Sequence, residues 1–400
     1  MYNNFFYYTP TKVAFGKGVE AQTGKLAKEF GGSRVLLVYG GGSVIRSGLL
    51  ERVEKYLEEE GIAWVALGGV VPNPRMGKVL EGIEIGKREG VDMVISVGGG
   101  SAGDTAKAIA YGLGEPDLDV TELYKGLRQC KRALPVGVVL TLAATGTEMS
   151  SSSVITLEEG LIKRGYSSDL GRPKFAVMDP ALTMTLPAYQ TASGCADIWM
   201  HTMERWFEHD GSMEITDDLA AALLKNVMKH ARILVEQPDN YESRAEIMWA
   251  GSLSHNGLTG CGGRGGDWAT HKLEHELGGM YDVTHGAGLA AIWGTWARYV
   301  MKEDLHRFVK FAVDVFDVPA AEAGGSPREE ETVALEGIEK AEQFFRDIHM
   351  PTSLTELGVD PTEEEYRELA RKCAVTTKDN LGSARVLHEA DMYAIFKGAK

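Results

Sequence analysis

Short apolar runs alternate with longer amphipathic stretches over roughly the first 188 residues. The apolar runs, which we interpret as buried strands, cover residues 34–39, 63–67, 93–97, 136–140 and 175–178. Apolar positions at helical spacing cover residues 49–60, 76–89 and 103–110. Strands and helices that alternate in this way predict a parallel sheet covered by helices.

After about Tyr189 the strand pattern stops, and apolar positions recur every three or four residues. The predicted helices cover residues 190–208, 214–235, 241–255, 267–279, 286–301, 304–315, 328–347 and 362–374. We therefore expect two domains: an α/β domain over residues 1–188 and an all-helical domain over residues 189–400.

Composition and charge narrow the class of protein. The net charge of −15 over 400 residues argues against nucleic acid or an anionic membrane as the main partner, because both require a basic face. No apolar run reaches the roughly 18 residues that a membrane helix needs, and no signal peptide is evident. The four cysteines lie far apart, which is typical of reduced thiols in a cytosolic protein. We expect a cytoplasmic protein.

Glycine clusters follow two of the predicted strands. Gly99, Gly100 and Ser101 lie where the strand 93–97 meets the next helix. Glycines there allow a sharp turn and leave backbone N–H groups open to an anion at the helix N-terminus. The cluster is either a pyrophosphate cradle or a tight turn without a ligand, and the local pattern alone does not decide between them.

The first cluster, Gly40, Gly41, Gly42 and Ser43, bears on which nicotinamide cofactor binds. A carboxylate at such a position would bond a ribose 2′-hydroxyl and repel a 2′-phosphate, and no carboxylate is present. Ser43, the free amides and nearby Arg46 could accept a 2′-phosphate. This pattern favours NADP over NAD, unless the cluster is a turn that does not contact the cofactor.

Five residues in the second half form a candidate metal site. Asp197 and His201 are four residues apart in a predicted helix and so share one face, and His271 and His275 repeat that spacing. His285 follows ten residues after His275. Carboxylate and imidazole ligands suit Fe(II) or Zn(II) and suit Mg(II) poorly. Each histidine taken singly is more often a surface residue or a hydrogen-bonded core residue than a metal ligand.

Two extended motifs resemble the signatures of the iron-containing, or group III, alcohol dehydrogenase family, and the resemblance covers nearly the whole chain. It is closest to the bacterial butanol dehydrogenase and aldehyde reductase members. The first motif comprises Ala176–Asp179, Pro187, Gly194–Ile198 and Glu204. The second comprises Trp268–His271, Glu274, His275, Leu277–Gly279, Val283 and His285–Gly288. Trp199 departs from the family pattern, and we expect it to reshape the substrate pocket.

The resemblance implies a dehydroquinate-synthase-like fold, with a nucleotide domain, a helical domain and a cleft between them. It implies that one catalytic metal binds to Asp197, His201, His271 and His285. It also implies a set of cofactor-binding residues beyond the first glycine cluster: Asn73, Gly99, Gly100, Ser101, Asp104, Thr141, Leu142, Thr145, Val154, Lys163 and Leu182.

The implied activity is hydride transfer between NAD(P)(H) and a small primary alcohol or aldehyde. The metal, Fe(II) or Zn(II), would act as a Lewis acid toward the substrate oxygen. His275 is expected to relay the alcohol proton, or else to hydrogen-bond a ligand. Asp104 is expected to orient the nicotinamide amide, or else to act only as a carboxylate at a helix start.

Several alternatives remain open at this stage. On the same fold, the chain could be a polyol (glycerol-type) dehydrogenase or a lyase-type synthase. A metal-dependent hydrolase and a nucleotide-binding sensor are the alternatives from other classes. We expect a homodimer, with the aromatic N-terminus (Phe5 to Tyr8) pairing as an edge strand with a second subunit; the alternative is a strand buried within one subunit.

Overall fold

The computed structural model describes residues 2–208, 213–319 and 327–400, which form two compact units. The α/β unit comprises Tyr8–Leu186 and Asp239–Ser252. The helical unit comprises Met1–Tyr7, Pro187–Pro238 and Leu253–Lys400. The predicted domain boundary between residues 188 and 189 stays a prediction.

The α/β unit is built on a parallel sheet. The strands are β1 (Lys12–Phe15), β2 (Arg34–Gly40), β3 (Ala63–Val70), β4 (Met93–Gly98), β5 (Val136–Leu140), β6 (Ser152–Leu157), β7 (Ile162–Ser167) and β8 (Phe175–Met178). Six of them form the sheet in the order β1-β8-β5-β4-β2-β3, and every neighbouring pair is parallel. The predicted parallel sheet is thus confirmed, while β1 and the antiparallel pair β6–β7 were not predicted.

Helices cover this sheet and enclose a core on each face. They are α1 (Thr23–Glu29), α2 (Ser43–Arg46), α3 (Leu49–Glu59), α4 (Met76–Glu89), α5 (Gly100–Gly114) and α6 (Thr121–Tyr124). Successive residues of a strand point to opposite faces. Accordingly, Leu36 and Val38 of β2 join one buried cluster, whereas Val35 and Leu37 join the other.

The remaining helices follow the sequence pattern closely, except for those at Leu354–Leu357 and Glu389–Gly398, which were not predicted. They are α7 (Ala188–Trp206), α8 (Glu214–Glu236), α9 (Tyr241–His255), α10 (Ala269–Tyr281), α11 (His285–Val300), α12 (Leu305–Phe316), α13 (Pro327–Asp347), α14 (Leu354–Leu357), α15 (Glu363–Thr377) and α16 (Glu389–Gly398). No described helix is long and apolar enough to cross a membrane.

Helix α9 differs from its neighbours in its surroundings. Residues up to Ser252 belong to the α/β unit. Met248 packs in a buried cluster with Val138, Leu140 and Met178 of the sheet. The helical spacing of α9 was predicted correctly, but spacing within a helix does not reveal which surface the helix covers.

The aromatic N-terminus has no strand partner among the described residues. Residues 2–11 form neither strand nor helix. Tyr2, Phe5, Phe6, Tyr7 and Tyr8 are all exposed. The alternative in which this segment is a buried strand within one subunit is therefore wrong.

The glycines at the start of α5 are required for packing and not for an unusual backbone conformation. Gly98, Gly99 and Gly100 all lack a positive φ, so the sharp turn expected from the sequence is not what requires them. A Cβ on Gly100 would lie 2.5 Å from Oγ1 of Thr145, and one on Gly103 would lie 2.5 Å from Cγ2 of Thr147. The segment that follows β5 lies directly against this helix face.

We expect Gly103→Ala to destabilise the protein by about 1–3 kcal/mol, because the new methyl group overlaps a fixed side chain. Thr147 cannot easily move, since its hydroxyl donates a hydrogen bond to Asp104 Oδ1 (3.0 Å). This cost exceeds the roughly 0.5–1 kcal/mol that alanine gains over glycine in a helix. Chemical denaturation measures the difference.

Gly41→Ala is the matched control for this prediction, because a Cβ on Gly41 meets no atom within 4 Å. We expect the free energy of unfolding of that variant to lie within about 1 kcal/mol of the wild-type value. Equal stabilities of the two variants would contradict the packing account.

Candidate metal centre and candidate cofactor site

Three helices of the helical unit place the candidate metal ligands. Asp197 and His201 lie one turn apart in the middle of α7, and both are buried. His271 lies in the first turn of α10, and His285 is the first residue of α11. The i,i+4 spacing predicted from the sequence therefore places two of the side chains on one helix face.

The side chains converge on one carboxylate oxygen. Asp197 Oδ1 lies 3.4 Å from His201 Nδ1, 3.7 Å from His271 Nε2 and 3.7 Å from His285 Nε2. Asp197, His201 and His271 also form a group whose candidate ligand atoms all lie within 4.8 Å of one another. The structure thus brings together all four residues that the sequence motifs indicate.

Hydrogen bonds do not account for this arrangement. Asp197 Oδ1, His201 Nδ1 and His271 Nε2 are buried and have no hydrogen-bond partner among the described residues. An unsatisfied buried polar atom costs roughly 1–3 kcal/mol, and more when it is charged. A divalent cation would satisfy all three atoms at once, and one carboxylate with three imidazoles is a donor set suited to Fe(II) or Zn(II). The residues present fit such an ion.

Two carboxylates hold the imidazole rings from behind. Glu204 Oε1 accepts a hydrogen bond from the Nδ1–H of His271 (2.8 Å), from its backbone N–H (2.9 Å) and from the Thr270 hydroxyl (2.7 Å). Glu274 Oε2 accepts from Nδ1 of His285. Each bond leaves Nε2 of its ring facing Asp197, as is usual for metal-binding histidines.

Neither glutamate is assigned a role by the sequence pattern alone. A spacing signal was present, because Glu204 follows His201 by three residues and Glu274 follows His271 by three. That spacing places each glutamate near the same helix face as a ligand.

The electrostatics of the group match its geometry. Burial acts to raise the pKa of Asp197, but His201, His285 and His271 together lower it well below its usual range. Burial lowers the pKa of His201 well below its usual value, against the attraction of Asp197. Burial also acts to lower the pKa of His271, but the nearby carboxylate of Asp197 and the hydrogen-bonded carboxylate of Glu204 raise it to about 9. The carboxylate is therefore ionised at neutral pH.

An aromatic and cationic cluster surrounds the ring of His201. The ring of His255 is tilted by 50° relative to it with a centroid distance of 4.0 Å, and Trp268 lies at 6.2 Å. Arg205 lies 4.8 Å above the Trp268 ring and donates to the backbone oxygen of His201 (2.8 Å). These contacts, which were not predicted, limit the orientations that His201 can adopt.

His275 lies outside the Asp197 group. It is buried, with its ring 5.8 Å from the ring of His285, and it forms a second group with His285 and Glu274. Its place beside a candidate ligand is consistent with both roles that the sequence left open, proton relay and hydrogen-bond partner.

Trp199 does not lie where the sequence analysis expected it. It is fully buried and packs against Trp293, Phe311, Phe344 and Phe345 in the core of the helical unit. Two residues along a helix correspond to a rotation of about 200°, so Trp199 points away from the face that carries Asp197. The expectation that it reshapes the substrate pocket is wrong.

In the α/β unit, the predicted cofactor residues follow the carboxyl ends of neighbouring strands. Gly40 ends β2, Gly99 follows β4, Thr141 follows β5, and Leu182 lies in the short helical turn after β8. These strands are adjacent in the sheet. Parallel sheets bind ligands at this edge, and the structure places these residues there.

The turn after β2 carries no acidic side chain. Gly42 has a φ of 116° and precedes α2, which begins at Ser43. A Cβ on Gly42 would lie 3.3 Å from Nη1 of Arg46, so the guanidinium reaches back over the turn. Both Ser43 and Arg46 are exposed. The arrangement is suited to a phosphate and offers no carboxylate for a 2′-hydroxyl.

The N-terminus of α5 is open to an anion, because Gly99 caps it without a side-chain hydrogen bond. The first N–H groups of a helix have no acceptor within the helix, and they attract phosphate. Both carboxylate oxygens of Asp104, one turn further on, accept hydrogen bonds from the protein itself. Its Oδ1 accepts from Thr147 Oγ1, and its Oδ2 accepts from the backbone N–H of Val154 (both 3.0 Å).

The antiparallel pair β6–β7 carries the last two predicted cofactor residues. Val154 lies in β6. The buried Lys163 lies in β7 and pairs with Thr156 of β6. Thr156 donates its hydroxyl hydrogen to the backbone oxygen of Asn73 (3.3 Å). The hairpin thereby joins Asn73 and Lys163 through one residue.

Family models match both parts of the chain. Residues 10–180 match "Iron-containing alcohol dehydrogenase", and residues 191–400 match "Fe-containing alcohol dehydrogenase family, C-terminal". The chain therefore belongs to the iron-containing alcohol dehydrogenase family, and it is an oxidoreductase of the alcohol dehydrogenase and aldehyde reductase type.

Particular relatives cover almost the full chain. NADH-dependent butanol dehydrogenase A of Clostridium acetobutylicum is 39% identical over 98% of this chain and 99% of its own. NADPH-dependent aldehyde reductase YqhD of Escherichia coli is 34% identical over 90% of each chain. The crystal structure of NADH-dependent butanol dehydrogenase A from Thermotoga maritima superposes with a TM-score of 0.94 at 36% identity, covering 99% of this chain and 98% of that one. The predicted dehydroquinate-synthase-like fold is confirmed.

We expect Asp197→Ala to abolish both bound metal and turnover while leaving the protein folded, because it removes the atom on which three imidazoles converge. Metal content after loading with Fe(II) under anaerobic conditions gives the first readout, and circular dichroism verifies the fold. The exposed Asp218→Ala on α8 is the matched control and should bind metal as the wild type does. An Asp197→Ala protein that keeps its metal and its activity would disprove the assignment.

Proposed function

We propose that this enzyme interconverts a small primary alcohol and its aldehyde with NAD(P)(H), using one divalent metal held by Asp197, His201, His271 and His285. The observation that carries the proposal is the convergence of three imidazole nitrogens on Asp197 Oδ1, where Asp197 Oδ1, His201 Nδ1 and His271 Nε2 are buried with no hydrogen-bond partner among the described residues. Fe(II) is the metal that the family's description favours, and Zn(II) is the alternative.

When bound, the metal supplies Lewis acidity toward the substrate oxygen, and the nicotinamide supplies or accepts the hydride. The chain itself orients the ligands. Glu204 and Glu274 fix two imidazole rings in one tautomer, with Nε2 facing the carboxylate. We assign to His275 the relay of the proton released from the alcohol, because it lies beside His285 and is not part of the Asp197 group.

We propose that the cofactor binds along the carboxyl ends of β2, β4 and β5, with its pyrophosphate at the open N-terminus of α5. The residues assigned to it are Gly40, Gly41, Gly42, Ser43, Asn73, Gly99, Gly100, Ser101, Asp104, Thr141, Leu142, Thr145, Val154, Lys163 and Leu182. Arg46 and the absence of a carboxylate at residues 40–43 favour NADPH over NADH. Relatives named for each cofactor exist, so their names do not decide the choice.

We further propose a cytoplasmic homodimer. All four cysteines are free, which is typical of a reducing compartment. The exposed aromatic segment at residues 2–8 offers apolar surface for a second copy of the chain. Light scattering on the purified protein measures the oligomeric state directly.

The proposed activity predicts that the metal-loaded enzyme oxidises NADPH in the presence of straight-chain aldehydes, with butanal turned over faster than glyceraldehyde. The measurement is the loss of reduced-cofactor absorbance on protein of known metal content, with glycerol and 1,3-propanediol tested in the oxidative direction. The metal-free enzyme is the control. A protein that hydrolyses esters or phosphates without changing the absorbance would contradict the proposal.

Gly40→Asp should reverse the cofactor preference from NADPH toward NADH, since a carboxylate bonds the 2′-hydroxyl and repels the 2′-phosphate. The position tolerates a side chain, because a Cβ there would lie 3.4 Å from the backbone oxygen of Val70 and the residue has no positive φ. Gly40→Asn is the uncharged control. We expect the ratio of kcat/KM values to change by about tenfold or more, equivalent to about 1.4 kcal/mol. An unchanged ratio would refute the 2′-phosphate argument.

A further inference from the structure

The segment between β5 and β6, residues 141–151, is irregular and yet has no exposed residue. A buried loop is unusual, because its backbone polar groups cannot bond to water. Partners for those groups must come from elsewhere in the protein. The contacts of this segment therefore show what sets its shape.

Lys107 of α5 is one such partner. Its side chain is completely buried. Its ammonium group donates hydrogen bonds to the backbone oxygen of Ser150 (2.9 Å) and to that of Ser152 (2.8 Å). One cation thus joins the helix to both sides of the junction between the segment and β6.

Asp104 acts in the same way one helical turn earlier. It accepts from the hydroxyl of Thr147 and from the backbone N–H of Val154, both at 3.0 Å. Residues three apart share a helix face, so Asp104 and Lys107 form a pair of opposite charge along one side of α5. Arg172 adds a bond from Nη1 to the backbone oxygen of Met149 (2.8 Å).

The beginning of the segment is packed against the same helix. The backbone N–H of Thr141 donates to the oxygen of Gly98 (2.9 Å). A Cβ on Gly99 would lie 3.0 Å from Cβ of Leu142, and a Cβ on Gly100 would lie 2.5 Å from Oγ1 of Thr145. Helix α5 therefore fixes both ends of the segment, through small residues at one end and charged side chains at the other.

Stability alone does not explain a lysine at position 107. Burial lowers its pKa to about 8, although Asp104 and Glu148 act to raise it, so the charged form is less favourable here than in water. An apolar side chain of similar length would avoid this cost, and replacing buried charges by well-packed apolar groups is often neutral or stabilising. What the apolar side chain could not do is hold two carbonyl groups in fixed positions.

We propose that Lys107 is a positioning residue for cofactor binding, which holds the 141–151 segment in the shape that contacts NAD(P)H. The proposal rests on the proposed function, because Thr141, Leu142 and Thr145 are assigned there to the cofactor. Lys107 itself is buried beneath the segment and does not need to touch the cofactor.

Lys107→Met tests this proposal. It keeps the length of the side chain and removes both hydrogen bonds. In metal-loaded protein we expect the Kd for NADPH, measured by fluorescence titration, to rise about tenfold, which is about 1.4 kcal/mol. KM for NADPH should rise in parallel, while kcat at saturating NADPH stays within about threefold.

Thr23→Val is the matched control, since it also removes a fully buried hydrogen bond, from Thr23 Oγ1 to the backbone oxygen of Glu20 (2.7 Å), but at the start of α1. We expect it to lower the melting temperature without changing the Kd. A Kd for Lys107→Met within about twofold of the wild type would overturn the proposal.

Hydrogen–deuterium exchange provides a readout that does not need the cofactor. We expect backbone amides of residues 141–154 to exchange faster in Lys107→Met than in either the wild type or Thr23→Val, and unchanged exchange would overturn the proposal. If the wild type bound neither NADPH nor NADH, the proposed function would fail, while the exchange result would still decide whether Lys107 fixes the segment.

Lys107→Gln, which retains an amide donor, should bind NADPH with intermediate affinity. If both variants failed to fold while Thr23→Val folded, Lys107 would be a requirement for folding and the positioning role would be overturned.

Discussion

The helical unit is organised around a buried carboxylate oxygen that has no hydrogen-bond partner in the described part of the chain. Asp197 Oδ1 is surrounded by imidazole nitrogens at 3.4 to 3.7 Å. Three histidines cannot all be protonated there, because their charges would repel one another in a buried space. Removing a carboxylate from water is also costly unless a countercharge is present. A single divalent cation meets both conditions, and the hydrogen bonds to Glu204 and Glu274 hold two of the rings in the orientation it needs.

Helix α5 applies the same principle in the α/β unit. The residues of its first turn have small side chains or none, so the neighbouring segment can approach its backbone N–H groups closely. Its second turn carries buried charges, Asp104 and Lys107, which form hydrogen bonds with the backbone of Ser150, Ser152 and Val154 and with the hydroxyl of Thr147. Buried charges are a poor source of stability but an effective means of fixing the position of a loop.

Local pattern predicted much of this structure and failed where packing decided the outcome. The apolar runs of β2, β4 and β5 and the periodicity of α7 to α13 are properties of the sequence itself. The β6–β7 hairpin was not predicted, because Lys163 and Arg164 interrupt its apolar pattern. Lys163 is buried only through tertiary contacts. Trp199 was misassigned because closeness in sequence to Asp197 was taken as closeness in space, although the helix turns it to the opposite face. The contacts of Glu204 and Lys107 could not be predicted from local pattern, because the residues they bond to are 67 and 43 positions away in the sequence.

The central claim is that a metal ion occupies the point on which Asp197, His201, His271 and His285 converge. Anomalous diffraction at the iron absorption edge, from crystals of protein loaded with Fe(II) under anaerobic conditions, tests it most directly. We predict one strong anomalous peak with an oxygen of Asp197 and one nitrogen of each histidine at about 2.0–2.2 Å. A peak elsewhere, or no peak and four side chains satisfied by hydrogen bonds to water, would contradict the account.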